Sequence, residues 1–314
     1  MSSETQTIPE SLAGKRLDQA LAAMFPQYSR SRLKSWLLAG AVLVDGEQWK
    51  PRDAVHGGEI VNLNAVEEVQ VRSEPEAMTL AVAFEDEHLL VVNKPAGLVV
   101  HPGAGNPGGT LMNGLMAHHP GLETLPRAGI VHRLDKDTSG LLLVGKTLEA
   151  HTALTRLLAD REISRRYQAV VNGVLTGGGT IDAPIARHPV DRTRMSVQDN
   201  GREAVTHYTV AERFRAHTRV DVKLETGRTH QIRVHFAWRR HALLGDPVYG
   251  GRLALPKGAS EPLIAALRQF RRQALHAVRL AFEHPMTGEP LDVHAPLPDD
   301  LETLLDVLNT DARE

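Results

Sequence analysis

Apolar side chains near the N-terminus recur with the period of a helix. The spacing i, i+3, i+4, i+7 predicts a first helix that buries Leu17, Ala20, Leu21 and Met24. Pro26 ends this helix, and Ser29 is suited to cap a second helix that ends at Gly40. The second helix would bury Leu33, Trp36 and Leu37. The first ten residues are polar, and we expect them to lack regular structure.

After Gly40 the pattern changes to the alternation of a strand. Val42 and Val44 lead to Asp45-Gly46, a strong signal for a tight hairpin turn, and a second strand is predicted at 59–63. Two helices and a hairpin within about 50 residues form a compact module. The segment 64–78 is acidic and has no periodicity, so it is predicted to be a linker.

A larger domain is predicted to start near residue 80. Its apolar runs predict strands at 80–84, 89–92, 141–144, 166–171, 220–224, 275–282 and 291–293. Helical stripes are predicted at 111–118, 150–158, 229–239 and 301–308. The strands cluster as hairpins and do not alternate regularly with helices. This arrangement favours an α+β fold around a mixed, mostly antiparallel sheet.

The composition is that of an ordinary globular protein. The 314 residues are 42% hydrophobic and 24% charged, and the length suggests two domains. No apolar run is long enough to span a membrane, and the N-terminus does not resemble a secretion signal. We therefore expect a cytoplasmic protein without a membrane segment. The absence of cysteine excludes disulfides, thiolate chemistry and cysteine-ligated metal sites.

The charges are unevenly distributed along the chain. A net charge of −2 argues against a nucleic-acid partner when taken alone. However, residues 11–52 carry seven Lys or Arg against three acids, and residues 228–252 carry five Arg against one acid. A local basic surface is what attracts a polyanion, so RNA remains a plausible partner.

Residues 129–140 concentrate ionisable and hydroxyl side chains between two apolar runs, as catalytic loops often do. Asp135, Asp137 and Ser139 match the opening of a calcium loop, but the position that requires Glu is Lys146, which excludes that site. The same three residues resemble the motif of magnesium-dependent aspartyl-phosphate enzymes. His132-Arg133 precede Asp135, and cations so close would bias such a site, which makes this the weaker alternative.

The same loop resembles a known signature. His132-Arg133-Leu134-Asp135, followed by Thr138-Ser139-Gly140, is similar to the signature loop of the RluA-type pseudouridine synthases of the ribosomal large subunit. Further family blocks are resembled, in the same order, by residues 165–167, 227–235, 245–250 and 273–277. Residues 16–46 resemble an S4 RNA-binding domain. The resemblance spans about residues 15–298.

The resemblance implies an S4 domain at residues 15–72 and a catalytic domain at residues 80–298. The implied activity is the isomerisation of uridine to pseudouridine in 23S rRNA, at several uridines of one hairpin loop (helix 69). Because the reaction gains no atoms, we expect no cofactor. The implied partner is 23S rRNA or the large ribosomal subunit, and the protein is expected to be a monomer.

The resemblance also implies roles for individual residues. Asp135 would act at C1′, either as nucleophile or by assisting departure of the base. Arg233 would keep that carboxylate ionised. Tyr167 would support the base and is a candidate for the group that removes the C5 proton. Leu275 would form an apolar wall, and Arg133 would fill the gap left by the flipped base.

The basic second helix of the N-terminal module is expected to contact the RNA backbone through Arg30, Arg32 and Lys34. A protein that only binds RNA, such as a ribosome-assembly factor with an S4 module, is the rival hypothesis. Among the 16 histidines, His230 and His235 lack the i, i+4 spacing of a helical metal pair. We therefore predict no metal site.

Overall fold

The computed structural model describes residues 2–28, 30–65, 74–103 and 105–313. The chain divides into two compact units, one of residues 1–72 and one of residues 73–314. The first unit begins before the expected range of 15–72, and the second extends beyond the expected range of 80–298 at both ends. Most of the predicted linker lies outside the described residues.

The N-terminal unit combines two helices with a three-stranded antiparallel sheet. Its helices are α1 (Leu17–Met24) and α2 (Arg30–Leu38), and its strands are β1 (Ser2–Thr7), β2 (Val42–Val44) and β3 (Ile60–Ala65). The sheet order is β1-β3-β2. The predicted core positions Leu17, Ala20, Leu21, Leu33, Trp36 and Leu37 are buried. The predicted cap, Ser29, lies outside the described residues.

The expectation that residues 1–10 lack regular structure is wrong. Strand β1 pairs along the full length of β3, from Ser2 opposite Ala65 to Thr7 opposite Ile60. Backbone pairing at a sheet edge needs no apolar side chains, so a polar segment can form such a strand. Ile8, directly after it, is fully buried and anchors the segment to the core.

The larger unit is built on a nine-stranded sheet in the order β4-β5-β6-β13-β7-β12-β11-β8, with β14 paired to β13. The strands are β4 (Val82–Glu85), β5 (Leu89–Lys94), β6 (Ser139–Gly145), β7 (Ser164–Asn172), β8 (Gly179–Asp182), β11 (Val205–Arg213), β12 (His217–Leu224), β13 (Leu275–Glu283) and β14 (Pro290–His294). Strands β9 (Ile185–Arg187) and β10 (Met195–Val197) form a separate pair. Among these described pairs, β6 with β13 is the parallel one, which confirms a mixed, mostly antiparallel sheet.

Helices cover this sheet. They are α3 (Leu111–His118), α4 (Leu148–Ala159), α5 (Gln231–Trp238), α6 (Glu261–Gln269) and α7 (Asp299–Arg313). Helix α7 shares a hydrophobic cluster with α6 and with Phe214 and Leu244, so it is part of the larger unit. The α+β class predicted from the sequence is therefore confirmed.

The centre of the sheet requires a glycine at position 140. Gly140 has φ +111°, and a Cβ there would lie 2.3 Å from the carbonyl oxygen of Ala277. The missing side chain lets β6 and β13 approach each other, with Gly140 opposite Ala277. Ala277 in turn pairs with Tyr167 of β7. This row brings the loop before β6 next to Tyr167.

Candidate active site

The loop that carries Asp135 is held from two sides. The ammonium of Lys94, at the end of β5, donates to the carbonyl oxygens of Pro95, Leu98 and Lys136 at 2.8–2.9 Å. On the other side, the Gln273 amide donates to the Thr138 hydroxyl at 2.9 Å. Leu134 is buried in the main core. These contacts fix the backbone on both sides of Asp135.

Arg233 joins the Asp135 loop to helix α5. Its Nη1 donates to Asp135 Oδ2 at 2.9 Å, while Nε and Nη2 donate to the two oxygens of Asp246 at 2.7 and 2.9 Å. The side chain of Arg233 is 5% exposed, that of Asp135 is 14% exposed, and that of Asp246 is fully buried. Asp135 is therefore the carboxylate of this trio that a substrate can reach.

The charges within this trio stabilise one another. Burial opposes ionisation of both Arg233 and Asp246, but their paired hydrogen bonds outweigh it. The pKa of Arg233 is therefore raised and that of Asp246 is lowered. Asp246 also accepts the N–H groups of Val248 and Tyr249 at 2.8 and 2.9 Å. Asp246 holds the guanidinium in a fixed orientation, which leaves one N–H edge for Asp135.

The start of helix α5 is fixed by a fully bonded glutamine. Gln231 accepts from the Thr226 hydroxyl and the Arg228 N–H, and its amide donates to the Val205 carbonyl and the Thr206 hydroxyl. These four bonds of 2.8–3.0 Å set the position of the helix. Arg233, two residues further along the helix, is therefore held in a fixed position.

His230 faces the second oxygen of Asp135. It adopts a left-handed backbone, φ +57°, and its Nε2 lies 3.8 Å from Asp135 Oδ1. Its Nδ1 lies 2.8 Å from the Tyr249 hydroxyl, which accepts the Met195 N–H. Burial lowers the pKa of His230 despite the charge of Asp135, so the ring is neutral at pH 7. A proton on Nε2, directed at Asp135, satisfies this network.

The predicted base-site residues line one narrow pocket of about 50 Å³, which includes Arg133, Asp135, Tyr167, Arg233 and Leu275. Arg133, Asp135 and Tyr167 also line an open cleft of about 850 Å³. These three residues therefore stand at the junction of pocket and cleft. The arrangement suits a planar base that enters from the cleft, with its sugar left near Asp135.

Tyr167 presents a hydroxyl that has no hydrogen bond among the described residues. Burial, together with the charge of Asp135 and against that of Arg165, raises the pKa of Tyr167, so the phenol stays protonated at neutral pH. The presence of this hydroxyl here is consistent with a group reserved for the substrate.

The cleft is strongly basic. Five arginines line it, namely Arg127, Arg133, Arg161, Arg165 and Arg228. Arg161 is paired with Glu203 and Glu225. Arg127 belongs to a left-handed turn, with φ/ψ of 54°/34° at Arg127 and 51°/42° at Ala128, a conformation that is strained for both residues. Burial and the neighbouring arginines lower the pKa of Arg228. An anionic ligand would relieve this repulsion.

The residues expected to contact RNA in the N-terminal unit lie on helix α2. The Arg30 guanidinium is paired with Asp18 at 3.0 Å, and Asp18 also binds Arg16 at 2.9 Å. Lys34 is exposed. Arg32 is on the same helix, but its side chain lies outside the described part of the chain. The described cations on this helix therefore comprise one paired and one exposed residue.

Sequence reasoning missed several residues that shape the site. Asp246 lay within a recognised block but received no role, and Lys94, His230 and Tyr249 received none either. For Asp246 the sequence offered no local signal, because its burial and its contact with Arg233 are seen only in the structure. For Lys94 the available signal was a lysine that ends a fully apolar strand, because such a lysine needs internal partners.

The described residues contain neither a candidate metal site nor a helix that could span a membrane. Within them, no group of three or more His, Cys, Asp or Glu side chains is arranged to hold a metal ion. Across the same ranges, no helix combines the length and the apolarity needed to cross a membrane.

Lys94→Met is expected to loosen the loop that carries Asp135. Burial lowers the pKa of Lys94 to about 7, against the charges of Asp137 and Asp135, but three carbonyls depend on its N–H groups. Their loss is expected to reduce the free energy of unfolding by about 1–3 kcal/mol. Urea denaturation measures this change. Lys136→Met, on the same loop but exposed, is the matched control, and equal stability of both variants would contradict the role given to Lys94.

The sequence of this chain is similar to those of known proteins. A family model described as RNA pseudouridylate synthase matches residues 88–238, and one described as S4 domain matches residues 15–61. A Xanthomonas campestris pv. campestris protein named ribosomal large subunit pseudouridine synthase D is 56% identical over 305 residues, which cover 97% of this chain and 92% of that protein. This chain belongs to the RNA pseudouridylate synthase family.

Other relatives agree with this membership. An Escherichia coli O6:H1 protein, also named ribosomal large subunit pseudouridine synthase D, is 55% identical over 311 residues, covering 99% of this chain and 95% of that protein. The solved structure of human RNA pseudouridylate synthase domain containing 4 matches with a TM-score of 0.58 and 26% identity, over 73% of this chain and 93% of that one. The family, the isomerase class and the S4 domain expected from the motifs are confirmed.

Proposed function

We propose that this pseudouridine synthase acts on 23S rRNA of the large ribosomal subunit, at several uridines of one hairpin loop, helix 69, without a cofactor. The names of the relatives support the ribosomal substrate. The observation that carries the catalytic part is the carboxylate of Asp135, bound at 2.9 Å by Arg233 in a pocket shared with Tyr167.

The reaction begins with a flipped uridine. The base leaves its stack at a cost of a few kcal/mol and enters the pocket from the basic cleft. Its ring lies against Tyr167, where aromatic stacking contributes about 1–3 kcal/mol. Leu275 closes the apolar side of the pocket. Arg133, exposed at the junction, occupies the space that the base has left in the RNA.

Asp135 then acts at C1′ of the ribose. The C1′–N1 bond breaks as the carboxylate attacks C1′ or assists departure of the uracil anion. The uracil turns and C5 bonds to C1′, which breaks the ester bond to Asp135 if the carboxylate has attacked. The C5 proton is then lost and N1 gains a proton. Atoms and electrons therefore balance without a redox partner. Arg233 holds the carboxylate in position through this sequence by its hydrogen bond at 2.9 Å.

The hydroxyl of Tyr167 is the proposed acceptor of the C5 proton. It stays protonated at neutral pH, so it must pass its own proton on as it accepts that of C5. Asp135 lines the same narrow pocket. The phenol proton passes to Asp135, whose carboxylate is free again once C1′ has bonded to C5.

Tyr167→Phe separates the two proposed roles of Tyr167, which are support of the base by the ring and transfer of the C5 proton by the hydroxyl. The variant keeps the ring, so we expect RNA affinity to be retained, while tritium release from C5 falls about 10²- to 10⁴-fold. Tyr28→Phe, which removes a hydroxyl bonded to Glu4 in the N-terminal unit, is the matched control. Full tritium release by Tyr167→Phe would contradict the role of the hydroxyl.

The N-terminal unit is proposed to hold the RNA backbone. Lys34 is exposed on α2, and Arg30 can exchange Asp18 for phosphate. Binding of this kind weakens as salt rises, because each phosphate contact releases counterions. We further propose that the protein works as a monomer in the cytoplasm, where ribosomes assemble.

The test is release of tritium from C5-labelled uridine in 23S rRNA fragments. The proposal predicts release into water with no added cofactor and with full activity in EDTA. Binding without release would favour a non-enzymatic RNA-binding factor. Loss of activity in EDTA together with turnover of a phosphate ester would favour the magnesium-dependent alternative.

A further inference from the structure

A second groove lies on the catalytic unit and is lined by residues that the proposed mechanism does not use. It measures about 560 Å³, and its walls include Val174, Tyr208, Trp238, Arg239 and Arg240. Trp238 is 52% exposed and Val174 is 48% exposed. A half-exposed indole beside a second partly exposed aromatic ring is the kind of surface that marks an interaction site.

The groove is formed where helix α5 ends. The N–H of Arg240 donates to the carbonyl of Ala237, and that of His241 donates to the carbonyl of Phe236, the bond pattern of a Schellman cap. Arg240 is the residue directly after the C-cap, and it has a left-handed backbone with φ +63°. Glycine is the usual residue at this left-handed position, because a side chain there is strained. This chain has an arginine at the position despite that strain.

The charge of the groove is of one sign. Arg239, Arg240 and His241 line it together with no Asp or Glu among its lining residues. Neither guanidinium has a hydrogen bond or an ion pair within the described ranges, whereas Arg161 and Arg279 are paired with carboxylates. Unpaired arginines beside an exposed aromatic ring are complementary to a polyanion with planar bases.

The groove is separate from the uridine pocket. Tyr167 lies in the middle of β7, and the groove begins beyond the end of that strand, at Val174. Tyr167 and Asn172 are therefore about 17 Å apart along the strand, at roughly 3.3 Å per residue. Among the described residues, the groove shares no lining residue with the narrow pocket or with the cleft. A ligand in the groove can thus be present while a uridine occupies the pocket.

We propose that this groove binds a second segment of the RNA substrate, outside the target loop. An unpaired base stacks on Trp238, and the flanking phosphates contact Arg239 and Arg240. The inference rests on the proposed function, since it takes RNA as the substrate. It extends that function to a docking site that favours long RNA over an isolated hairpin.

The test compares two RNAs by equilibrium binding to the full chain. One is a short hairpin with only the target loop, and the other is a long 23S fragment that contains it. Trp238→Ala is expected to weaken binding of the long fragment about 5- to 100-fold, and to leave binding of the short hairpin unchanged. Arg268→Ala removes an exposed arginine of α6 that does not line the groove, and it is expected to bind both RNAs as the wild type does.

The variant Arg240→Gly distinguishes a contact between Arg240 and RNA from a purely structural role of this residue. Glycine relieves the left-handed strain, so the melting temperature should rise, while affinity for the long fragment should fall. The slope of log affinity against log salt should also decrease by about 0.7–0.9, the value for one phosphate contact. Lower stability with unchanged RNA affinity would overturn the proposal.

Two other outcomes would also overturn it. Trp238→Ala and Arg240→Gly could bind the long fragment as tightly as the wild type does. Alternatively, the variants could change only self-association, measured by sedimentation, which would identify the groove as a contact between copies of this chain. Tritium release by the wild-type protein from the short hairpin tests the proposed function separately, so the two failures are distinguishable.

Discussion

Asp135→Asn is expected to abolish tritium release from uridine C5, by about 10³-fold or more. The amide has nearly the size of the carboxylate but carries no charge, and it can neither attack C1′ nor stabilise positive charge there. Arg233 keeps both bonds to Asp246, so its buried charge stays paired. The fold should therefore be retained, which circular dichroism and urea denaturation measure.

Asp137→Asn is the matched control for this prediction. Asp137 lies two residues further along the same loop, has no side-chain hydrogen bond among the described residues, and does not line the pocket. We expect this variant to keep most of its turnover and to bind RNA as Asp135→Asn does. Equal losses in both variants would show that the loop is sensitive to any lost charge and would remove the special role of Asp135.

Arg233→Gln is expected to lower both stability and turnover. It leaves the fully buried Asp246 without its cation, and removing one partner of a buried ion pair costs about 3–5 kcal/mol. The N–H groups of Val248 and Tyr249 compensate only in part. Asp135 also loses the group that orients it. Urea denaturation and tritium release on the same preparation measure the two effects.

The double variant Arg233→Gln with Asp246→Asn separates these effects. With both charges removed, no buried carboxylate remains unpaired, so the double variant should be more stable than Arg233→Gln alone. Turnover should stay lost, because Asp135 still lacks its guanidinium. If the stability losses of the single variants simply add, the buried pairing between Arg233 and Asp246 is not the source of the effect.

Local patterns were sufficient to predict much of the fold. The stripe Leu17, Ala20, Leu21 has the helical period, and α1 begins and ends near the predicted positions. The alternation Val220, Val222, Leu224 predicted β12, where these three side chains are buried and their neighbours are not. In both elements one face is packed on a core, so the sequence itself carries the period.

Elements without such a face could not be predicted. β1 is polar because it is an edge strand, and β8 buries only Ile181 of its four residues. Helix α5 begins at Gln231, two residues later than predicted, because His230 takes a left-handed backbone. The strained turn at Arg127 also has no local signal, since its conformation depends on tertiary packing.

The site required information that spacing does not contain. Asp135 and Arg233 are 98 residues apart, and their 2.9 Å contact was expected only from the family resemblance. The partner that orients Arg233, Asp246, became identifiable only when α5 and the following loop were seen together. A motif names residues that occur together, whereas the charge balance of a buried trio depends on three-dimensional neighbours.

The most direct test of the central claim is the structure of Asp135→Asn in complex with a 23S rRNA fragment that contains the target loop. We expect one uridine to be extruded from the RNA, with its ring against Tyr167 and its C1′ about 3–3.5 Å from the side chain at position 135. A target uridine that stays stacked in the RNA, or that binds elsewhere with the pocket empty, would contradict the account.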